Sequence, residues 1–237
     1  MTFIKKTLDF NDVDYMGNYK LTSLFSTLAW LATKNALEIG MWNNEMRKQY
    51  GWVDAKQTMK LKEPIRADDS IEIETSVDKG TFVTFPRNYY IKKENELVGT
   101  IASVWTLIDL EKRSIVAPKR VGLNVPDIKC QIPLETPKTI KEDIEMELVS
   151  QRKVMYSDLD VNQHMNNARY LEWACDLVDL DFYKTKYIKE LSINYRKEIK
   201  PASLVDLYVG KNADKYIIKG VVENEKAFIV EMLFDNR

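Results

Sequence analysis

Apolar residues between positions 21 and 39 recur with the 3.6-residue period of an amphipathic helix. One helical face carries Leu21, Leu24, Phe25, Leu28, Leu31 and Ala32. Gly40 follows directly, as is typical where a helix ends. A second helix is predicted over residues 167–179. Its apolar face carries Tyr170, Leu171, Ala174, Leu177 and Val178. Asn166 or Asn167 suits its N-cap, because an Asn side chain accepts hydrogen bonds from unpaired backbone N–H groups.

After each helix, apolar and polar residues alternate with the period of two that a half-buried β-strand requires. In the first half this alternation runs over residues 71–78, and in the second half it runs over residues 205–210. Further strands are predicted at 81–92, 97–109, 216–223 and 227–234. The pattern therefore predicts an α+β protein with antiparallel strands.

The same order of elements occurs twice along the chain, which indicates an internal repeat. Residues 10–14 read Phe-Asn-Asp-Val-Asp, and residues 156–160 read Tyr-Ser-Asp-Leu-Asp. Four of the seven prolines lie between positions 118 and 137, which favours a connecting segment at 111–146. We therefore expect units at 1–110 and 147–237. One such unit cannot cover both faces of its sheet, whereas two units side by side can enclose their helices.

The only histidine of the chain, His164, lies in a segment rich in Asp and Asn. Between Ser157 and Tyr170, six residues of fourteen are Asp, Asn or His. The preference of Asn and Asp for turns and helix caps explains any one of them. It does not explain all six, so the segment is a candidate functional site.

The two copies differ in the residues that could carry chemistry. The first copy keeps the turn aspartates but lacks the other polar side chains. The aligned pairs are Asp14 with Asp160, Met16 with Asn162, Asn18 with His164, and Pro64 with Glu198. Residues needed only for folding would be expected in both copies. The difference therefore predicts one working site, in the second copy.

Residues 158–170, which read Asp-Leu-Asp-Val-Asn-Gln-His-Met-Asn-Asn-Ala-Arg-Tyr, and Asn-Tyr-Arg-Lys-Glu at 194–198 carry a family resemblance. Together they resemble the acyl-acyl-carrier-protein (acyl-ACP) thioesterases of plants and bacteria. The resemblance implies a tandem double hotdog, with two long helices each wrapped by an antiparallel sheet. It also implies a catalytic set, which falls on Asp160, Asn162, His164 and Glu198. Many plant members have a cysteine where this chain has Ile199, so a cysteine nucleophile is not expected at that position, and Cys175 is expected to be a core residue.

The chemistry of thioester hydrolysis suits these residue types. Glu198 can take a proton from water, while His164 orients that water or donates a hydrogen bond. Asn162 can bond the thioester carbonyl or hold the imidazole, and Asp160 can hold the arrangement in place. Backbone N–H groups at 165–167 are expected to face the developing oxyanion at the positive end of the helix dipole. A covalent anhydride through Asp160 or Glu198 remains an alternative.

The implied substrate is a fatty acyl chain on an acidic acyl carrier protein, released as free fatty acid to end chain elongation. We expect the first copy to supply an apolar slot. Candidate lining residues are Trp30, Trp52, Met59 and Trp105, with Asn166 and Asn167 beside the thioester. Arg196 and Lys200 flank Glu198 and are candidates for a basic rim that meets the carrier protein.

Composition limits the other possibilities. A net charge of −1 provides no general attraction for nucleic acid or an anionic membrane. Two cysteines in no zinc or disulfide spacing, and no apolar run of the roughly 18 residues that span a bilayer, favour a cytoplasmic protein. No metal or cofactor is predicted, and monomer and homodimer are both compatible with a fused repeat. A hotdog thioesterase acting on coenzyme A esters and a non-catalytic acyl-binding sensor remain as alternatives.

Overall fold

The computed structural model describes residues 2–123, 125, 130 and 132–237. Within these ranges the helices are α1 (Leu21–Glu38), α2 (Asn167–Cys175) and α3 (Leu180–Thr185). The first strands are β1 (Thr2–Thr7), β2 (Tyr50–Leu61), β3 (Ser70–Val77), β4 (Phe85–Lys93), β5 (Glu96–Asp109) and β6 (Ser114–Ile115). The remaining strands are β7 (Glu147–Lys153), β8 (Lys186–Tyr195), β9 (Leu204–Asn212), β10 (Lys215–Val222) and β11 (Glu225–Asn236).

The eleven strands form one antiparallel sheet, which confirms the α+β prediction. Its order is β1-β3-β4-β5-β2-β8-β11-β10-β9-β7, with β6 added beside β5. The five strands of the second half therefore repeat those of the first half in mirrored order. The halves join where Thr58 pairs with Ser192, whose hydroxyl oxygens lie 2.9 Å apart. These are equivalent residues of the repeat, so an approximate two-fold axis passes between them.

Helices α1 and α2 pack against each other on one face of this sheet, and α3 packs against β8. The apolar side of α1 is buried as predicted, from Leu24 and Leu28 to Leu31. These side chains share a core with Trp173 of α2 and Phe228 of β11. Burial of each such side chain contributes about 1.5–3 kcal/mol, so the two halves stabilise one another. No helix in the described part of the chain has both the length and the apolarity to cross a bilayer.

The second helix is shorter than predicted. It ends at Cys175, after nine residues, rather than at residue 179, whereas α1 has eighteen residues. Val178 is buried without being helical, and Asp179 begins a new helix by accepting a hydrogen bond from the N–H of Asp181. An Asp with this preference for capping ends the run that the apolar period alone extends. The expectation of two long helices was therefore wrong for the second.

The connecting segment lies against the sheet face opposite the helices. Ile140 packs there on Ile217 and Ile229, and its N–H donates to the side chain of Asn194 at 2.9 Å. Farther along the sheet, the thiol of Cys130 lies 3.1 Å from the hydroxyl of Tyr90 and 3.1 Å from that of Ser76. Residues 124, 126–129 and 131 of the predicted segment lie outside the described residues.

Gly220 leaves room for a ring that supports the predicted site. It pairs with Phe228 across β10 and β11, and a methyl group at Gly220 would overlap the Phe228 ring. That ring packs edge-on against Tyr170, with centroids 5.0 Å apart. The Tyr170 hydroxyl in turn accepts a hydrogen bond from the N–H of Ile199 at 3.4 Å. The absence of a side chain at Gly220 therefore allows the ring packing that supports the backbone next to Glu198.

We predict that Gly220→Ala lowers the free energy of unfolding by about 1–3 kcal/mol, because overpacking forces the Phe228 ring to move. Adding Phe228→Leu should recover part of the Gly220→Ala loss in a double-mutant cycle measured by urea denaturation. Gly51→Ala is the control, because the nearest atom to its methyl group would be the end of the flexible Leu110 side chain, at 3.1 Å. Equal stabilities of the two alanine variants would contradict the packing described here.

Candidate active site

The Asp160 carboxylate holds the turn that carries the candidate residues. Its Oδ1 accepts hydrogen bonds from the backbone N–H groups of Asn162 at 2.8 Å and His164 at 3.5 Å. Its Oδ2 accepts from the Asn162 side-chain amide at 3.3 Å. The Asp160 N–H donates back to the His164 carbonyl at 2.9 Å, and Gln163 closes the turn with a φ of 62°. Asp160 and Asn162 therefore fix the backbone from which His164 projects.

Glu198 reaches His164 from the loop that follows β8. The Met165 N–H donates to the Ile199 carbonyl at 2.9 Å, which ties this loop to the turn. As a result, His164 Nε2 and Glu198 Oε2 lie 3.6 Å apart, although they are 34 positions apart in sequence. Both side chains are partly exposed, so water has access to the pair. Arg196 and Lys200 are exposed on the same loop, on either side of Glu198.

Arg113 is a site residue that sequence reasoning missed. It lies in the turn between β5 and β6 with a φ of 51°, and its guanidinium forms an ion pair with Glu198 Oε2. Glu198 therefore faces His164 and Arg113 with the same oxygen atom. Arg113 belongs to the connecting segment, which has no periodicity or motif that would have singled it out.

The environment of His164 favours the neutral imidazole. Partial burial lowers its pKa below the ordinary value, and the positive charges of Arg113 and Lys200 act in the same direction. The Asp160 carboxylate acts in the opposite direction and raises the pKa, but it does not offset these effects. A neutral imidazole can accept a hydrogen bond or a proton from a water molecule, which is what a hydrolytic site requires.

The start of α2 is more fully hydrogen-bonded than expected. The Asn166 side chain caps the helix by accepting from the N–H of Ala168 at 2.9 Å. The Met165 N–H bonds Ile199, and the Asn166 N–H bonds the Asp158 carbonyl at 2.8 Å. Of the three backbone groups expected to face an oxyanion, the first two are therefore already occupied. That role can fall only to the N–H of Asn167, at the exposed first residue of the helix.

The first copy repeats this turn without its chemistry. Asp14 Oδ1 accepts from the N–H groups of Met16 at 2.8 Å and Asn18 at 3.0 Å, and Gly17 has a φ of 77°. The N–H of Tyr19 donates to the carbonyl of the residue after Pro64, and the N–H of Met165 donates to the carbonyl of the residue after Glu198. Pro64 therefore occupies the place of Glu198. The backbone hydrogen bonds of the first turn therefore match those of the second, as the alignment of the two copies predicts.

The predicted slot residues lie in three places. Trp52 and Trp105 flank Phe85: Trp52 packs edge-on against its ring at 5.2 Å, and Trp105 pairs with Phe85 across β4 and β5. Met59 is fully buried in the core of the first half. Trp30 is 51% exposed on α1. Trp52 and Trp105 therefore share one surface, while Trp30 and Met59 lie elsewhere.

A buried carboxyl group, also missed from the sequence, lies between this surface and the candidate site. Asp54 pairs with Trp105 across β2 and β5, and it accepts a hydrogen bond from Gln57. Burial raises the pKa of Asp54 well above its usual range, against the lowering effects of the Gln57 bond and the Arg87 charge. Asp54 is near enough to contribute, after burial, to the raised pKa of Tyr195. Tyr195 reaches the start of α2, where its hydroxyl donates to the Asn167 carbonyl at 3.2 Å.

Comparison with known families covers most of the chain. The family description "Acyl-ACP thioesterase N-terminal domain" matches residues 4–120, and "Acyl-ACP thioesterase C-terminal domain" matches residues 141–230. Among curated relatives, the chloroplastic oleoyl-acyl carrier protein thioesterase 2 of Arabidopsis thaliana is 23% identical over 168 residues, which are 65% of this chain and 46% of that protein. The corresponding protein of Coriandrum sativum is 24% identical over 180 residues, 69% of this chain and 48% of its own length. The chain thus spans about half the length of these relatives.

Solved structures resemble the whole fold. An acyl-ACP thioesterase from Bacteroides thetaiotaomicron has a TM-score of 0.87 at 21% identity, covering 98% of this chain and 97% of that one. A 12:0-ACP thioesterase from Umbellularia californica has a TM-score of 0.80 at 15% identity, covering 99% and 97%. At these identities the likeness is evidence for the fold alone.

We predict that Arg113→Gln raises the pKa of His164 toward the ordinary histidine value. The substitution removes a cation that disfavours the imidazolium and frees Glu198 to stabilise it. Because the chain has one histidine, its ring resonances can be followed without overlap in an NMR pH titration. Arg120→Gln, on a segment where the guanidinium lies over Phe82, is the matched control and should leave the pKa unchanged. A titration curve that Arg113→Gln does not move would contradict the described contact.

Proposed function

The chain belongs to the acyl-ACP thioesterase family, and we propose that it hydrolyses fatty acyl-ACP to free fatty acid and holo-carrier protein. The reaction would end elongation of the acyl chain. The observation that carries the proposal is the approach of His164 to Glu198 beside the start of α2. The pair is partly exposed, its surroundings lower the pKa of the imidazole, and it occurs in one copy of a repeated turn. A thiolester hydrolase needs such a water-activating pair next to a hydrogen-bond donor.

In the proposed mechanism a water molecule binds between Glu198 and His164. The 3.6 Å separation of their facing atoms allows both to contact that water. Glu198 takes the proton as the water oxygen attacks the thioester carbon, and His164 orients the water. The tetrahedral intermediate then collapses with cleavage of the C–S bond, and the proton held by Glu198 passes to the leaving thiolate of the carrier protein. Asn162 and the N–H of Asn167 stabilise the oxyanion.

A covalent route is the alternative, and it differs between the two carboxylates. Asp160 is poorly suited to nucleophilic attack, because its oxygens already accept three hydrogen bonds within the turn. Glu198 remains the carboxylate that could attack the thioester carbon and expel the thiolate to form a mixed anhydride, which water then cleaves. Both routes require Glu198 to be deprotonated and accessible.

We propose that the architecture is a tandem double hotdog, with an acyl-binding unit at 1–110 and a catalytic unit at 147–237 joined by 111–146. The mirrored strand order and the duplicated turn support this assignment. The two units share one sheet and one core, so the boundary is one of function.

The acyl chain is proposed to enter the first half from the His164–Glu198 pair. It would pass Tyr195 and Asp54 and lie along the surface of Trp105 and Trp52. The raised pKa of Asp54 favours its neutral form, which is compatible with an apolar neighbour. Trp30 and Met59 are retained as proposed slot residues, although they lie apart from this path.

The carrier protein is proposed to dock where the site opens to solvent. Arg196 and Lys200 are exposed there, and Arg113 contributes a third positive charge at Glu198. Acidic carrier proteins are attracted to such a rim. Both cysteines are free thiols, which supports a reducing compartment such as the cytoplasm. The curated relatives named above are chloroplastic, and monomer and homodimer both remain compatible with the proposal.

The direct test is release of free thiol from acyl-ACP and acyl-CoA esters of graded chain length by the purified protein. We expect turnover of acyl-ACP, with a lower kcat/KM for the coenzyme A ester of the same chain. Preference for the coenzyme A esters would favour the hotdog acyl-CoA thioesterase. Binding of both without thiol release would identify a non-catalytic acyl sensor, and either result would overturn the proposal.

We predict that His164→Ala and Glu198→Gln lower kcat/KM by about 10²–10⁴ for every acyl length, because loss of proton transfer affects all substrates alike. Trp105→Ala should instead move the preferred length upward, since each additional buried CH₂ contributes about 0.8 kcal/mol. The measurement is kcat/KM against chain length for the three variants. A shifted optimum at full peak rate in the His164 variant would contradict these roles, as would a uniform loss in a folded Trp105 variant.

We predict that Cys175→Ala keeps nearly full turnover at a stability cost of about 1 kcal/mol. Burial raises the pKa of the Cys175 thiol to about 12, so the nucleophilic thiolate is scarce at neutral pH. Activity assays and thermal denaturation of the same preparation measure both effects. A well-folded Cys175→Ala protein without activity would disprove the carboxylate mechanism.

A further inference from the structure

The duplicated turn of the first copy borders a partly open cavity of about 320 Å³. The cavity lies between this turn, the start of α1, the end of α2, α3 and the strands β2 and β8. Among the described residues that line it, none belongs to the set Asp160, Asn162, His164 and Glu198. It is therefore separate from the candidate active site and lies at the equivalent position of the repeat.

The walls of this cavity are mainly apolar. Representative lining side chains are Leu21, Leu24, Leu61, Ile65 and Ile188. Tyr15 and Tyr183 also line the cavity and pack edge-on at 6.4 Å, and the Tyr15 hydroxyl donates to the Leu180 carbonyl at 2.7 Å. A contact between the first-half turn and the second-half helix thus closes one side. The space is suited to a hydrocarbon chain, and its volume is at the lower end of small-molecule sites, about 300–1,000 Å³.

One end of the cavity is polar. Asn18 Oδ1 is buried and has no hydrogen-bond partner among the described residues. The other amide atom, Nδ2, donates to Asp14 Oδ2 at 3.4 Å, which fixes the orientation of the amide. Asn18 lines the cavity, so this end holds a buried, unused acceptor beside a carboxylate. A buried acceptor without a partner is unfavourable, and a bound donor would relieve it.

The charges around the cavity disfavour an anionic ligand. Its lining contains three carboxylates, of Asp14, Glu172 and Asp176, against the single cation Lys20. Arg169 forms an ion pair with Glu172, and Arg152 forms one with Asp176; neither arginine is among the lining residues. Among the described residues, the carboxylate next to Asn18 instead accepts hydrogen bonds only from N–H groups of its own turn. A ligand carboxylate would meet like charge there and could not donate to Asn18.

We propose that this cavity binds a single-chain amphiphile whose uncharged head group donates a hydrogen bond to Asn18, as a primary alcohol does. The chain lies among the leucine and isoleucine side chains, and the hydroxyl lies beside Asp14. The site is a second lipid site, whose lining contains none of His164, Glu198, Trp105 and Trp52. Met59, named above as a slot residue, lines this cavity. Occupancy requires no catalysis, so it does not depend on the proposed function.

The test measures binding of 1-decanol and of decanoate to the full chain by equilibrium dialysis at pH 7.5, below micellar concentrations. We expect one 1-decanol per chain, bound about tenfold or more tightly than decanoate, the size of one lost hydrogen bond. Glu198→Gln should bind 1-decanol as the unsubstituted protein does, which separates this site from the catalytic one. Failure to bind 1-decanol, or equal binding of decanoate, would overturn the proposal.

Two kinds of variant locate the ligand. Thr22→Phe fills the cavity from the first turn of α1 and should weaken 1-decanol binding about tenfold or more, whereas Thr33→Phe on the exposed side of the same helix should not. Leu180→Phe, at a 65% exposed lining residue, replaces Thr22→Phe if that protein does not fold. Asn18→Leu should abolish the preference for the alcohol over decanoate. Unchanged 1-decanol affinity in both filling variants, or an unchanged preference in Asn18→Leu, would refute the assignment.

Discussion

One interaction determines the conformation of both duplicated turns. An aspartate carboxylate accepts hydrogen bonds from the backbone N–H groups two and four residues farther along the chain. Asp14 and Asp160 each make it, and each closes a turn with a positive φ at the fourth residue. Hydrogen bonds to a charged group contribute about 1.5–3 kcal/mol each, enough to hold a loop in one conformation. The turn fixes where its fifth residue points. Chemistry then depends on which side chain occupies that position and on what faces it.

The mirrored sheet explains why both copies are needed although one carries the catalytic residues. The core runs through both halves, from Leu31 of α1 to Phe228 of β11, and β2 pairs directly with β8. Each half also completes the surroundings of the other half's turn. Tyr15 contacts the carbonyl of Leu180, while Asp54 of the first half approaches Tyr195 of the second. The first turn lacks the catalytic side chains, but it has the same backbone hydrogen bonds and borders a cavity.

Much of this arrangement was predictable from the sequence. Periodicity indicates the buried face of α1 and the antiparallel strands, and alignment of the two copies matches His164 to Asn18. These features are local, or they repeat. The length of α2 was not predictable from its apolar period, because capping by Asp179 competes with the helix. Arg113 was missed because its role arises from a tertiary contact of an aperiodic segment.

The central claim is that one turn of the repeat hydrolyses the thioester and the other does not. It is tested most directly by exchanging the two equivalent residues in a single protein, Asn18→His with His164→Asn, which leaves the amino-acid composition unchanged. We predict that this protein folds, by circular dichroism, and that its kcat/KM for acyl-ACP falls by about 10²–10⁴, because the transferred histidine faces Pro64 instead of Glu198. Retention of the original kcat/KM by the exchanged protein would contradict the claim.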